Sequence, residues 1–399
     1  MSPAAVVVGG GAAGLRAAGL LAARGWEVDL HEASGRLGGV LHGVAVADGL
    51  GGSVEVDLGA ESFATRDGAV ERILADLGLA GRIAPPSGEA AWVVGPFGAA
   101  PLPAAGVLGI PERPLAADVR RAVGLAGSLR ALVDRLLPLG RVDPDAPLAD
   151  LVRRRMGERV LDRLVSPVVA GIYSRPAEAI AVREALPELR KAPSLGAAIR
   201  GIRASRPSGS AVAGLDGGIA QLAPALARDA AARGARLHLN SIADPEAVEA
   251  DLVVDARGGE PATETTIALL VVDAPELDAA PRGTGVLVPS GFGRAKALTH
   301  SSAKWPWLAE RLAPGRHVIR LSYADPEGAD PLADAAALLG VELAPAQRVV
   351  EHRARWAAPR IRPRDPAARV LRVGGSVTGP GLARVLPDVE RALGERLGE

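Results

Sequence analysis

Cysteine is absent from all 399 residues. Disulfides, thiolate metal sites, Cys-ligated iron–sulfur clusters and cysteine nucleophiles are excluded with it. The six histidines (His31, His42, His238, His300, His317, His352) are scattered, with no H-x-x-x-H spacing or acid-rich grouping, so no metal site is expected. Basic and acidic residues cancel at 46 each, which removes the electrostatic footprint of a nucleic-acid binder or a polybasic membrane anchor. Lysine is rare, with Lys191, Lys296 and Lys304 alone, and aromatics are few at 3 Phe, 2 Tyr and 5 Trp. No apolar run approaches the ~20 residues of a membrane span, and no cationic amphipathic segment stands out. The first strand begins almost at the N-terminus, leaving no room for a signal peptide. A soluble cytoplasmic protein is the expectation, long enough for two or three domains.

What is present begins at once. Ala5-Val6-Val7-Val8 is an uncharged β-branched run, the pattern of a strand buried on both faces. Gly9-Gly10-Gly11-Ala12-Ala13-Gly14 follows as G-x-G-x-x-G, then a helix from Ala12 that stops near Gly25. A second strand, Glu27 to Glu32, ends on an acid. A lone G-x-G-x-x-G is weak evidence in a chain with 49 glycines. Strand, glycines, helix, strand and terminal acid in this order read as a dinucleotide site. Gly9 permits the tight turn, Gly11 the approach of a pyrophosphate, and Gly14 close helix–strand packing. The helix N-terminus, at Ala12 and Ala13, offers N–H groups to phosphate, and Glu32 can accept from ribose hydroxyls.

Along the chain, Val40 to Asp57 reads as a hairpin or short meander, and Gly68 to Leu79 as a helix with Val70, Ile73, Leu74 and Leu77 on one stripe. Residues 115–205 are mostly helical by period. Arg153, Arg154 and Arg155 read there as a solvated helix turn more than a ligand site. Gly214 to Leu222 opens a helix reaching Ala232. Strands follow over Ala235–Asn240 and Ala250–Ala256, and strands dominate from Thr265 to Ala358. Val370-Leu371-Arg372-Val373 is a last strand, before a second glycine loop from Gly374 to Gly381 and a helix with Leu382, Val385, Leu386, Val389 and Leu393 at helical spacing.

After Glu32, the extension Ala33-Ser34-Gly35-Arg36-Leu37-Gly38-Gly39 resembles the FAD-dependent amine oxidase-like group. With Gly59-Ala60-Glu61-Ser62, the 148–173 segment and Lys296 to Pro306, the chain is similar to the oxygen-dependent coproporphyrinogen III and protoporphyrinogen oxidases. The resemblance implies an α/β fold: a Rossmann-type FAD-binding domain, a mixed-sheet substrate domain and a helical insertion. It divides the chain into FAD-binding parts at 1–88, 206–262 and 368–399, substrate-domain parts at 89–111 and 263–367, and the insertion at 112–205. In some members that insertion docks on a membrane. The resemblance also implies FAD contacts at Gly9, Gly11, Ala12, Ala13, Gly14, Glu32, Ala33, Arg36, Gly38, Gly39, Gly59, Ala60, Glu61, Ser62, Trp356, Gly374, Gly379, Gly381 and Leu382. The implied reaction is oxidation of a porphyrinogen, coproporphyrinogen III to coproporphyrin III, by O2 with release of H2O2. Flavin does the chemistry, so no catalytic side chain is assigned.

Substrate carboxylates need cations, and Arg66, then Lys296 and Lys304, are the candidates. One departure stands out: Ser241 to Glu249 is too short for the β-meander relatives carry, so the adenine end of FAD is expected to be held less tightly. That gap and the scarcity of aromatics keep open a degenerate, non-catalytic relative that binds FAD or a tetrapyrrole. A flavin amine oxidase or carotenoid desaturase of the same superfold is the other alternative.

Overall fold

The structure is a computed structural model that describes residues 2–65, 68–136, 138–173, 175–189, 191–205 and 212–398. Five parallel strands form its first sheet, in the order Arg236–His238, Glu27–His31, Ala4–Val8, Leu252–Asp255 and Val370–Arg372. Residues from both ends and the middle of the chain thus lie side by side. Val7, Leu30 and Val254 are fully buried, as expected of strands covered on both faces. The helix Ala12–Ala23 packs on Leu222–Ala232 and Leu382–Leu397. Leu15, Leu222 and Leu386 seal that contact, each contributing about 1.5–3 kcal/mol on burial.

A second sheet is mixed and seven-stranded. Its order is Arg348–Pro359, Pro261–Asp273, Arg316–Tyr323, Ala295–His300, Gly285–Leu287, Trp92–Gly95 and Gly98–Pro101. One face is covered by the helix Pro331–Leu339, which the strand-dominated reading of Thr265–Ala358 misses. Asp330 caps that helix by accepting from the N–H groups of Leu332 and Ala333. Trp305, Leu308 and the expected hairpin, Gly43–Ala47 with Ser53–Asp57, cover the other.

The expected opening of a helix at Gly214 is corrected. Val212–Leu215 is a strand, paired with Phe63–Ala64 and Ile83–Ala84. The helix proper starts at Leu222, after a turn at Gly217 and Gly218 with φ near +88° and +89°. Backbone pairing with two distant short strands decides the conformation there. Asp57 of the hairpin caps the turn leading in, accepting the N–H groups of Ile219 and Ala220 at 2.9 Å each. Burial pushes its carboxyl up to about 6 against those two bonds.

Residues 93–202 build a separate core from the helices Ala117–Leu132, Leu148–Met156, Ser166–Tyr173 and Leu195–Ser205. Arg155 is no solvated turn residue. Its Nε donates to the buried Asp134 at 2.6 Å, and Asp134 also accepts from the N–H groups of Leu195 and Gly196. The outer side of this core shows Leu125, Leu129, Val133 and Leu136 to solvent. Among the described residues no helix is long and apolar enough to cross a membrane.

Candidate functional site

Each glycine of the first loop meets a different demand. Gly9 has φ +108°, and a Cβ on Gly14 would stand 1.8 Å from the Gly9 carbonyl oxygen. Close approach of helix to strand therefore requires Gly14. Gly11 has ordinary backbone angles and nothing within 4 Å of where its Cβ would be. The space in front of the helix is open, and no side chain caps its N-terminus. Ala12 and Ala13 present N–H groups there, where an anion is favoured.

Glu32 stands beside this loop. Its Oε2 accepts the Gly10 N–H at 2.7 Å, and its Oε1 accepts the Ser34 N–H and hydroxyl at 2.9 and 2.7 Å. Burial alone would raise its pKa, but these donors together hold it below the usual carboxylate range. It is an oriented anion with lone pairs to spare. Ala33 is exposed next to it. The Gly38 N–H donates to the Gly10 carbonyl at 2.8 Å, and a Cβ on Gly39 would stand 3.4 Å from the Gly11 Cα. Arg36 donates to the Gly39 carbonyl at 2.8 Å and lies 5.6 Å from the centre of the Trp356 ring.

Trp356 links this side to the next segment, its Nε1–H donating to the Leu58 carbonyl at 3.2 Å. Gly59 is held by close approach, since a Cβ there would stand 1.9 Å from the Val40 carbonyl oxygen, and the Ala60 N–H donates to that same oxygen. Glu61 is deeply buried in a cationic socket. Ser301 Oγ donates to Oε1 at 2.6 Å; Lys304 Nζ lies 3.0 Å and Arg320 Nη1 3.3 Å from Oε2. Burial opposes ionisation, but Lys304 and Arg320 prevail and take the carboxyl down to about 2.

The second glycine loop meets the first. A Cβ on Gly374 would stand 3.2 Å from the Ala13 Cβ. Gly381, at φ +111°, opens the 16-residue helix Leu382–Leu397 without a side-chain cap, and again nothing lies within 4 Å of its Cβ position. Gly11 and Gly381 thus each front an uncapped helix N-terminus and face open space.

A cavity of about 690 Å³ lies against this second loop, touching Gly379, Gly381, Leu382 and Ser62. The helical core contributes Ile172, Tyr173, Arg175 and Glu184; the mixed sheet contributes Thr263 and Ala358, continuing into Arg360. Three arginines (Arg175, Arg360, Arg384) and one glutamate give the wall a net positive charge in a neutral chain.

Of the candidate substrate cations, Arg66 lies outside the described residues. Lys296 is exposed and donates to Thr265 Oγ1 at 3.0 Å, two residues along the strand from Thr263. Lys304 is paired with Glu61. The cavity arginines went unnoticed in the sequence. Arg384, three residues past Gly381, and Arg360, directly after Pro359, carried a signal through the motifs beside them; Arg175 carried none. The short Ser241–Glu249 segment forms no strand, and Arg369 ties it down by donating to the carbonyls of Pro245, Glu246 and Val248.

Residues 12–244 match the family described as flavin containing amine oxidoreductase. Coproporphyrinogen III oxidase of Mycobacterium tuberculosis is 32% identical over 346 residues, covering 75% of this chain and 73% of the relative. The Mycobacterium leprae protein of that name is 30% identical over 366 residues, covering 79% and 76%. Among solved structures, the "Putative protoporphyrinogen oxidase" of Exiguobacterium sp. 255-15 superposes with a TM-score of 0.77 at 19% identity, covering all of both chains. Putrescine oxidase bound to putrescine superposes with a TM-score of 0.60 at 15% identity, covering 100% of this chain and 99% of the other. These last two likenesses are likenesses of fold.

Proposed function

We propose, for a chain that belongs to the flavin-containing amine oxidoreductase family and within it to the coproporphyrinogen III and protoporphyrinogen oxidases, that its reaction is the oxidation of coproporphyrinogen III to coproporphyrin III in haem biosynthesis. Dioxygen is the acceptor in this reading and hydrogen peroxide the product. The chain is an FAD-dependent oxidase. Its residues suit that cofactor: two open glycine-fronted helix N-termini and an oriented carboxylate at Glu32. In this reading Ala12 and Ala13 face the pyrophosphate, Glu32 the ribose, and Gly381 and Leu382 the flavin side. When bound, FAD supplies the hydride acceptor.

The observation that carries the substrate is the 690 Å³ cavity with a cationic wall beside the second glycine loop. The loop side of that cavity (Gly379, Gly381, Leu382) is the flavin's in this reading, and the charge of the opposite wall suits a polycarboxylate. An ammonium substrate would meet repulsion from the same arginines, and an apolar carotenoid would strip their water without replacing it. Amine oxidase and desaturase are thus disfavoured. A porphyrinogen is electron-rich and gives up hydride readily, so the protein's work is to place one bridging carbon and exclude other paths. No acid–base side chain is called for, and cytoplasmic chemistry of this kind needs no membrane span.

The test is direct. Purified FAD-loaded protein given coproporphyrinogen III and oxygen should form fluorescent coproporphyrin III and peroxide without nicotinamide. Full flavin occupancy with no porphyrin above autoxidation, from coproporphyrinogen or protoporphyrinogen, overturns the reading in favour of a non-catalytic relative.

A further inference from the structure

We propose that Lys304 and Arg320 tune the flavin: their charges, only half answered by Glu61, favour the reduced cofactor and raise its reduction potential. This rests on the functional reading only in placing the flavin end of FAD at the second glycine loop. Ser62, the residue after Glu61, is on the cavity wall with Gly379, Gly381 and Leu382. Phe63, next to it, shares a buried core with Leu382. The socket is thus built into the segment that meets the second loop.

Two cations face one carboxylate there. Glu61 Oε2 takes Lys304 and Arg320 together, at 3.0 and 3.3 Å, and Oε1 takes the Ser301 hydroxyl. Arg320 gives another donor to the Gly59 carbonyl, a neutral group, and its Nε is buried with no partner among the described residues. Asp57, the other acid near Arg320, has its two oxygens engaged by the N–H groups of Ile219 and Ala220. Lys304 is fixed further by the buried Trp305, whose ring centre lies 4.8 Å from Nζ. Joining the two sheets calls for one acid and one base; the second base is a surplus charge that stability does not call for. The three side chains are at most 16% exposed, so water and salt screen that surplus poorly. Reduction adds two electrons and one proton, which leaves the cofactor one charge more negative. A fixed cation nearby stabilises that state more than the oxidised one. Lys304, expected as a substrate cation, acts here on the cofactor instead.

The experiment measures the two-electron midpoint potential of FAD-loaded protein by anaerobic titration with xanthine and xanthine oxidase against a reference dye. It is run at about pH 8, so that Asp57 stays ionised. Lys304→Gln removes a charge but keeps a donor for Glu61, which also retains Arg320 and Ser301. It should lower the potential by about 30 mV, a tenfold loss in the reduction equilibrium. Glu61→Gln should raise it, and the double variant, which removes one charge of each sign, should return it close to wild type. Lys304→Arg should leave it in place. A socket that only joins the sheets gives neither opposite signs nor the return. If Glu61→Gln does not fold, the two Lys304 variants and the double variant carry the test. An unmoved potential in Lys304→Gln with FAD retained, or shifts of one sign in both single variants, overturns the proposal. Loss of FAD from Lys304→Gln and Lys304→Arg alike makes the lysine structural and overturns it too. The expected shifts in a protein that oxidises no porphyrinogen overturn the functional reading alone.

Discussion

Lys304 and Glu61, one expected as a substrate cation and the other as a flavin contact, are bonded to each other: Nζ stands 3.0 Å from Oε2 across 243 residues of sequence. The bond joins the segment after the hairpin to the mixed sheet. Arg320 reinforces it from the neighbouring strand, reaching Glu61 and the Gly59 carbonyl. Glu61 therefore bears first on how the two sheets are joined.

Glu61→Gln should destabilise the fold strongly, since it leaves Lys304 and Arg320 buried without a neutralising anion. Removing one partner of a buried pair costs about 3–5 kcal/mol, and a melting temperature equal to wild type would show that the cluster does not hold the sheets together.

Stability should depend on pH through two neighbouring acids with opposite signs. Glu61 falls from its ordinary 4.5 to about 2, so its contribution is present above 4.5 and lost as pH falls towards 2. Asp57 rises from 3.8 to about 6, so its contribution is full below 3.8 and lost as pH rises through 6. Urea midpoints measured against pH should lose the acid limb in Glu61→Gln and the slope between 4 and 6 in Asp57→Asn. A wild-type slope in both variants contradicts these assignments.

Gly11 and Gly14 should separate cofactor from fold. Gly11→Val meets no protein atom and needs no unusual backbone, so the apoprotein should melt as wild type but carry no FAD. Gly14→Ala drives a methyl into the Gly9 carbonyl and should cost about 3 kcal/mol or more. Full flavin occupancy in Gly11→Val would remove the open space before the first helix from the cofactor site.

Glu32→Ala removes a carboxylate already oriented by Gly10 and Ser34. A charged hydrogen bond contributes about 1.5–3 kcal/mol, which is roughly one to two decades in FAD affinity. Flavin fluorescence titration of the apoprotein measures it; an unchanged Kd takes Glu32 off the ribose.

The parallel sheet, its two glycine loops and the helices behind them were legible in the sequence because their causes are local. An uncharged β-branched run, glycines at left-handed or crowded positions, and helical spacing from Leu382 to Leu393 each act within a few residues. Even so, local pattern misled at Gly214 and Leu215, where pairing with Phe63–Ala64 and Ile83–Ala84 makes a strand. Which charges meet was decided by tertiary structure alone. A cation's role depends on the anion it reaches, and that partner lies on another element: Lys304 finds Glu61, Arg155 finds Asp134, and Arg384 comes to Glu184. Arginine is common enough in this chain that its position along the sequence carries almost no information about the cavity wall. Folding three distant segments around one space is what sets Arg175, Arg360 and Arg384 apart from the rest.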